Sequence, residues 1–282
     1  MKFHRLREEL HRYWDEVVMR SRDVKDTLRG RRDPLVPPRR LMFDGPRDPA
    51  LFRQSGQEFF RFYIDLCGLR PDEHILDMGS GIGRKTVPLV DFLDTNGRYV
   101  GLDINRVGIS WCTRNITQRW PNFEFRHIDV HNRRYNPKGQ TLDTDLHFPF
   151  DDESFDFVVM ASLFTHMFPG GVRRYLQETA RVLQRTKGRC LISYFLLNDD
   201  SEAGIDSGRS VFRFPIRRED HAIEKEHRPE DAVAYDEAYV GELYDRAGLE
   251  ITAVHRGQWA GNSSNLSFQD LIIARHKRPD AS

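Results

Sequence analysis

The chain has 282 residues, with 43 Lys and Arg balanced by 43 Asp and Glu. That balance excludes a whole-protein basic field of the kind that drives non-specific nucleic-acid binding. The length allows one large domain or two small ones, and 39% hydrophobic beside 30% charged residues describe a polar chain able to bury a sizeable core.

No stretch approaches the run of about 18 apolar residues that a transmembrane helix needs. The opening MKFHRLREELHRYWDE is charged throughout and lacks the apolar centre of a secretory signal, so a cytoplasmic protein is expected. Cys67, Cys112 and Cys190 are three, far apart and without a CxxC pair. They are expected as buried free thiols rather than as disulfides or zinc ligands.

Helical spacing of Leu6, Leu10, Trp14, Val17, Val18 and Leu28 predicts a helix over 4–29, stopped at Gly30. Residues 1–40 carry about five more basic than acidic side chains, which suits an anionic substrate or partner or a solvated face. The prolines of Pro37-Pro38-Arg39-Arg40 make the next segment extended. A second helix is predicted over about 50–68. From residue 73, short apolar runs (HILDMG, RYVGLDI, FEFRHID, FDFVVMAS, GRCLISYFLL) alternate with helix candidates at 83–94, 106–119 and 171–185. Such alternation predicts βαβ units, a mostly parallel sheet and helices on both faces.

Residues 198–232 break the pattern, being rich in charge with few apolar anchors, and are expected as a mobile, lid-like insertion. A helix over 234–247 and strands at LEITAVHR and SFQDLIIARH complete the chain. The domain reading is an N-terminal helical extension over 1–50 and one α/β domain over 51–282 that carries the insertion.

The most informative stretch is Asp77-Met78-Gly79-Ser80-Gly81-Ile82-Gly83-Arg84, a strand end followed by a glycine turn and the expected start of a helix. The turn permits close approach of a ligand, and a helix start offers unpaired N–H groups. Arg84 stands where the dinucleotide fingerprint GxGxxG requires glycine, and the spacing of a phosphate-binding P-loop is absent. An acid two residues before the first glycine, Asp77, suits a positive amine instead. Asp103 ends the second strand, where a carboxylate can accept both hydroxyls of a ribose. Asp129 ends the third, beside the place of an adenine. All these positions lie at carboxyl ends of strands, where open α/β sheets bind ligands.

These residues, together with the FPFDDESFDFVVMASLFTHM block, resemble class I S-adenosylmethionine-dependent methyltransferases over about 55–197. The resemblance implies a Rossmann-like seven-stranded sheet whose last strand is antiparallel, and S-adenosyl-L-methionine as cofactor. It implies that Gly79, Ser80, Gly81 and Gly83 line the methionine moiety and that Asp77 favours its ammonium group. Asp103 would hold the ribose, with Ile104 on the adenine face, Asp129 accepting from the adenine amine and the Val130 backbone donating to the ring. Ser162 and Leu163 would border the sulfonium.

The fourth strand leads into Ala161-Ser162-Leu163-Phe164 and not into the Asn/Asp-Pro-Pro-aromatic pattern of enzymes that methylate nucleic-acid amino groups. Nucleic acid is therefore not expected as partner. His166 is the candidate general base for a hydroxyl acceptor. No metal site is expected; His127 and His131 straddle a strand end, and His221 and His227 lie in a charged stretch. Trp259 can stack on a sugar face, with Gln258, Asn262 and Gln269 bonding to hydroxyls. PPRRLMF, FTHM and GxW…SFQD resemble bacterial methyltransferases found with glycan synthesis enzymes, which implies a saccharide or sugar-containing acceptor. Alternative acceptors are a lipid, quinone or secondary metabolite, and a reading of another class is a non-catalytic cofactor-binding regulator or scaffold. The sequence leaves the oligomeric state open.

Overall fold

A computed structural model describes residues 2–263 and 266–277. It begins with helix α1 (Lys2–Leu28). Asp23 and Asp26 of α1 both reach the Arg39 guanidinium at 2.8 Å, which ties α1 to the proline-bounded segment. Helix α2 (Pro49–Arg61) starts where the Asp48 side chain accepts from the N–H groups of Ala50 and Leu51.

The domain then alternates as expected: β1 (His74–Met78), β2 (Arg98–Asp103), α3 (Arg106–Cys112), β3 (Phe123–His127), β4 (Phe157–Met160), α4 (Pro169–Val182) and β5 (Arg189–Tyr194). After these come β6 (Leu196–Leu197), α5 (Asp199–Asp206), β7 (Ile216–Arg217), β8 (His221–Ile223), β9 (Val233–Asp236), α6 (Glu237–Arg246), β10 (Leu249–His255) and β11 (Asp270–His276). The seven-stranded sheet has the order β3-β2-β1-β4-β5-β11-β10. Strands β1 to β5 pair parallel, and β11 runs antiparallel to both β5 and β10. The antiparallel last strand is where the sequence put it.

Alternation along each strand splits the core in two. Leu76, Met78, Val100, Leu102, Val158 and Met160 face one side, packed with Val172 and Leu176 of α4 and Leu243 of α6. Ile75, Tyr99, Phe157, Val159 and Leu191 face the other, packed with Phe52 of α2 and Ile109 and Cys112 of α3. The order reverses between β1 and β4, the switch point at which such sheets bind ligands.

One expectation fails. The helix over 83–94 is absent; residues 83–93 form turns around a short 3-10 segment at Val87–Leu89. Pro88 has no N–H to give the Arg84 carbonyl, and Gly56 of α2 packs against that carbonyl so closely that a Cβ would lie 2.4 Å from it. The insertion over 198–232 is better anchored than its charge suggests. With β6 and β9 it builds a second sheet of order β6-β9-β8-β7. Phe214 and Ala222 are wholly buried there, packed with Phe195 and Trp259. The Glu224 carboxylate accepts from the N–H groups of Arg213 and Phe214, which holds the left-handed turn at Phe214.

Asp270 joins the two sheets. At the start of β11, its buried carboxylate accepts from the N–H groups of Leu196 (2.8 Å) and Gly257 (2.7 Å) and from the Trp259 indole (2.7 Å). Asp270→Ala leaves three buried donors without that acceptor. It is expected to destabilise the protein by on the order of 3 kcal/mol or more, with Asp270→Asn between it and the native protein. Urea unfolding followed by tryptophan fluorescence measures this; an unchanged midpoint for Asp270→Ala would refute the role.

Candidate functional site

Strands β1 and β2 end side by side, and the glycine loop is sewn across their ends. The N–H groups of Gly79 and Ser80 both donate to the Leu102 carbonyl, at 2.8 and 3.1 Å. The next N–H, from Gly81, donates to Asp103 Oδ2 at 2.7 Å, while Asp103 Oδ1 accepts from Asn105 N–H at 2.6 Å. Asn105 then caps α3 through the N–H groups of Val107 and Gly108. Gly79, Gly81 and Gly83 all have positive φ. At Gly81 φ is +58°, and a Cβ would lie 2.6 Å from Asp44 Oδ2, so a side chain there is strained and must displace the Asp44 carboxylate.

The cleft beside the loop is lined by Met78, Gly79, Leu102, Asp103, Ile104, Val130, Leu163 and His166, with Asp143, Tyr175 and Glu230 on the far side. The structure thus brings Gly79, Asp103, Ile104, Val130, Leu163 and His166 to one cleft. Burial pushes the Asp103 carboxyl up to about 6. Each of its oxygens holds one N–H and retains a lone pair for a further donor.

Asp77 lies beneath the loop. One of its oxygens accepts from the Tyr99 hydroxyl at 2.7 Å, and Tyr99 also meets Thr86. The other oxygen is buried without a hydrogen-bond partner among the described residues, as is Ser80 Oγ. Burial raises the Asp77 pKa, with nearby Lys85 opposing it. These unpartnered acceptors beside a turn that bulky residues cannot occupy fit a ligand that brings a cationic donor, as the ammonium group of a methionine moiety does.

Other expected residues are placed differently. The Asp129 carboxylate accepts from Asn136 Nδ2 at 3.2 Å and Gln140 N–H at 3.4 Å, and the cleft wall there is Ile128 and Val130. It is engaged by its own loop rather than turned to the adenine position. Trp259 is wholly buried, with its indole on Asp270, so it is a core residue and no platform for a sugar. Asn262 Nδ2 donates to the Gly257 carbonyl at 3.3 Å. Gln269 Oε1 accepts from Ser162 Oγ (3.0 Å) and Ser193 Oγ (2.7 Å), bracing the end of β4. Ser162 there takes φ 59°, a conformation that costs a non-glycine residue energy, and Ser193 Oγ accepts its N–H at 2.7 Å.

His166 Nδ1 is 2.9 Å from the Glu230 carbonyl, an acceptor only, so Nδ1 carries the proton and Nε2 keeps its lone pair. Burial lowers the His166 pKa, against the pull of the Glu230 carbonyl. The partner is in the insertion, which reaches the cleft through Glu230.

Sequence reasoning missed the segment before α2. Arg84 is buried and donates to the Asp44 carbonyl, with its Nη2 also 3.5 Å from Asp44 Oδ1 and its guanidinium over the Phe52 ring. It is a tether for residues 43–45, neither solvated nor turned to a ligand. Through it Asp44 is held against Gly81, and Phe43 against Gly108. The signal available was the FDG turn before the Asp48 cap; its destination depends on the fold.

Comparison with known proteins agrees with this geometry. Residues 75–186 match the family model described as "Methyltransferase domain". That stretch is similar to methyltransferase domains. Among curated relatives, the sterol 24-C-methyltransferase of Schizosaccharomyces pombe is 26% identical over 160 residues, 57% of this chain and 38% of that protein. The phthiotriol/phenolphthiotriol dimycocerosates methyltransferase of Mycobacterium tuberculosis is 36% identical over 121 residues, 43% of this chain and 36% of that protein. The chain therefore spans little more than a third of the length of these relatives. Among solved structures, the 1,6-didemethyltoxoflavin-N1-methyltransferase of Burkholderia thailandensis, bound to S-adenosylhomocysteine, aligns with TM-score 0.51 and 18% identity, covering 95% of this chain and 90% of that one. A SAM-dependent methyltransferase from Methanosarcina mazei aligns with TM-score 0.50 and 22% identity, covering 75% and 95%. Both share the fold.

Asp103 supplies a direct test. Asp103→Ala should weaken S-adenosylmethionine binding about 10–100-fold, the loss of hydrogen bonds to a charged acceptor. Because the carboxyl titrates near 6, native affinity should be flat above pH 7 and fall below pH 6, by up to about tenfold per pH unit as the carboxylate is neutralised. Calorimetry across pH 5–8 measures both, and a flat profile with native affinity in folded Asp103→Ala would refute the assignment.

Proposed function

We propose that the chain is an S-adenosylmethionine-dependent methyltransferase that acts on a hydroxyl, with His166 as general base. The observation that carries the hydroxyl reading is the His166 tautomer: a neutral imidazole, Nε2 unprotonated, lining the same cleft as Gly79 and Asp103. The bound cofactor supplies a methyl group made electrophilic by its sulfonium. The protein does the rest. Asp77 and the glycine loop take the methionine end, Asp103 takes the ribose, and Ile104, Val130 and Leu163 exclude water from the cleft. His166 Nε2 takes the acceptor's proton as the oxygen becomes a nucleophile, and the Glu230 carbonyl steadies the resulting imidazolium. Such a site works mainly by placement of the two reactants, with proton removal adding to it.

A hydroxylated lipid or lipid-like metabolite is the acceptor class we favour. The matched relatives carry sterol and phthiotriol dimycocerosate in their names, and the Trp259 platform for a sugar is not available. A sugar-containing acceptor with a negative group is the second reading. A cavity of about 330 Å³ next to the cleft shares Glu230 with it and is lined by Arg133, Arg134 and Arg228.

His166→Ala should leave cofactor affinity within about twofold while lowering turnover about 10²–10⁴-fold, the usual range for base catalysis. The pKa shift sets the pH profile. Only neutral imidazole accepts a proton, and burial holds its pKa below the ordinary 6.5, so turnover should stay on its plateau at pH 7 and fall only below about 6.5. Radiolabelled methyl transfer to hydroxylated lipids and to sugar nucleotides, separated by solvent extraction, measures acceptor and rate together. Native turnover in His166→Ala at saturating acceptor would remove His166 from the mechanism.

A further inference from the structure

Helix α1 presents two chemically distinct faces. Between residues 16 and 29, Met19, Asp23 and Asp26 are the half-buried positions, and all three face the body of the protein. Asp23 and Asp26 hold Arg39, and Met19 Sδ lies 3.7 Å from Arg47. The opposite face bears an apolar row at helical spacing: Val17 (38% exposed), Val18 (44%), Val24 (56%) and Leu28 (82%), continued by exposed Trp14.

Charge is sorted across the helix in the same way. At 100° per residue, Arg29 and Arg22 flank the apolar row on one side and Arg20 on the other, with Lys25 inside the row between Trp14 and Val18, all of them exposed. Exposed Arg31 and Arg32 follow at the end of the helix. Asp23 and Asp26 are turned inward and share the Arg39 guanidinium. Glu16, which pairs with Arg20 at 2.7 Å, lies at the border. An apolar stripe edged by cations, with Asp23 and Asp26 on the protein side, complements an anionic lipid surface: the stripe enters the acyl boundary and the cations meet the headgroups. No helix among the described residues is long and apolar enough to cross a membrane, and an in-plane helix does not need to be.

We propose that the outer face of α1 docks the protein on anionic membranes. The inference is independent of the acceptor class and of the chemistry at His166. Sedimentation with vesicles tests it, using phosphatidylcholine alone or with about one-third phosphatidylglycerol. The native chain should bind the anionic vesicles at least about tenfold more tightly than the neutral ones, and binding should weaken as salt is raised from about 0.1 to 0.5 M. Val18→Asp/Val24→Asp should abolish binding by spoiling the stripe. Arg22→Glu/Arg29→Glu should remove the preference for anionic lipid while leaving the stripe intact. Both pairs are exposed, so the thermal melt and S-adenosylmethionine affinity should match the native protein's. Absence of binding to anionic vesicles would overturn the proposal, as would native binding by both variants. So would a concentration-dependent dimer that Val18→Asp/Val24→Asp dissolves, since the stripe would then belong to a second copy of the chain.

Discussion

Asp103 holds one backbone N–H on each oxygen, Gly81 from the loop and Asn105 from the helix start. This pair of bonds fixes the glycine loop against the start of α3. It follows from parallel pairing of β1 with β2 in a register that sets Met78 against Leu102. The Leu102 carbonyl then lies within reach of the next two N–H groups, and Asp103 within reach of Gly81. A residue with a side chain at 81 would be strained and would push the Asp44 carboxylate aside. The carboxylate remains buried because its neighbours are backbone donors, which also explains why it is not pushed further above 6.

Around this fixed point the protein builds its cleft from parts distant in sequence. The loop after β4 supplies Leu163 and His166, the small second sheet brings Glu230, and the segment before α2 brings Asp44. Asp270 ties β6 of the second sheet to β11, and Glu230, whose carbonyl orients His166, stands three residues before β9 of that sheet. Arg84 holds Asp44. The segment at Phe43 and Asp44 packs against the glycine loop at Gly81 and the start of α3 at Gly108.

What could be read in the sequence was local. Alternating apolar runs gave the five parallel strands, because a strand buried on both faces reads as a continuous hydrophobic segment. Gly79, Gly81 and Asp103 stood out because few residue types tolerate their backbone angles or that burial. The failures share a physical cause, namely that partners distant in the chain decide. Pro88 and the contact with Gly56 replace the helix after the loop with turns. Phe214, Ala222 and Trp259 lie among charged or polar neighbours in sequence, yet pack on Phe195. Asp129 turns to Asn136 because a local loop returns to it. Trp259 looked like a sugar platform until Asp270 claimed its indole.

Amide hydrogen exchange with and without S-adenosylhomocysteine tests the central claim, that the glycine loop and Asp103 form the cofactor seat beneath residues 43–45. Ligand should slow exchange in peptides covering 79–83 and 103–105, and in the segment around Phe43 and Asp44, while the second sheet at 216–223 changes little. Protection confined to other regions, with 79–83 and 103–105 exchanging as in the free protein, would contradict the account.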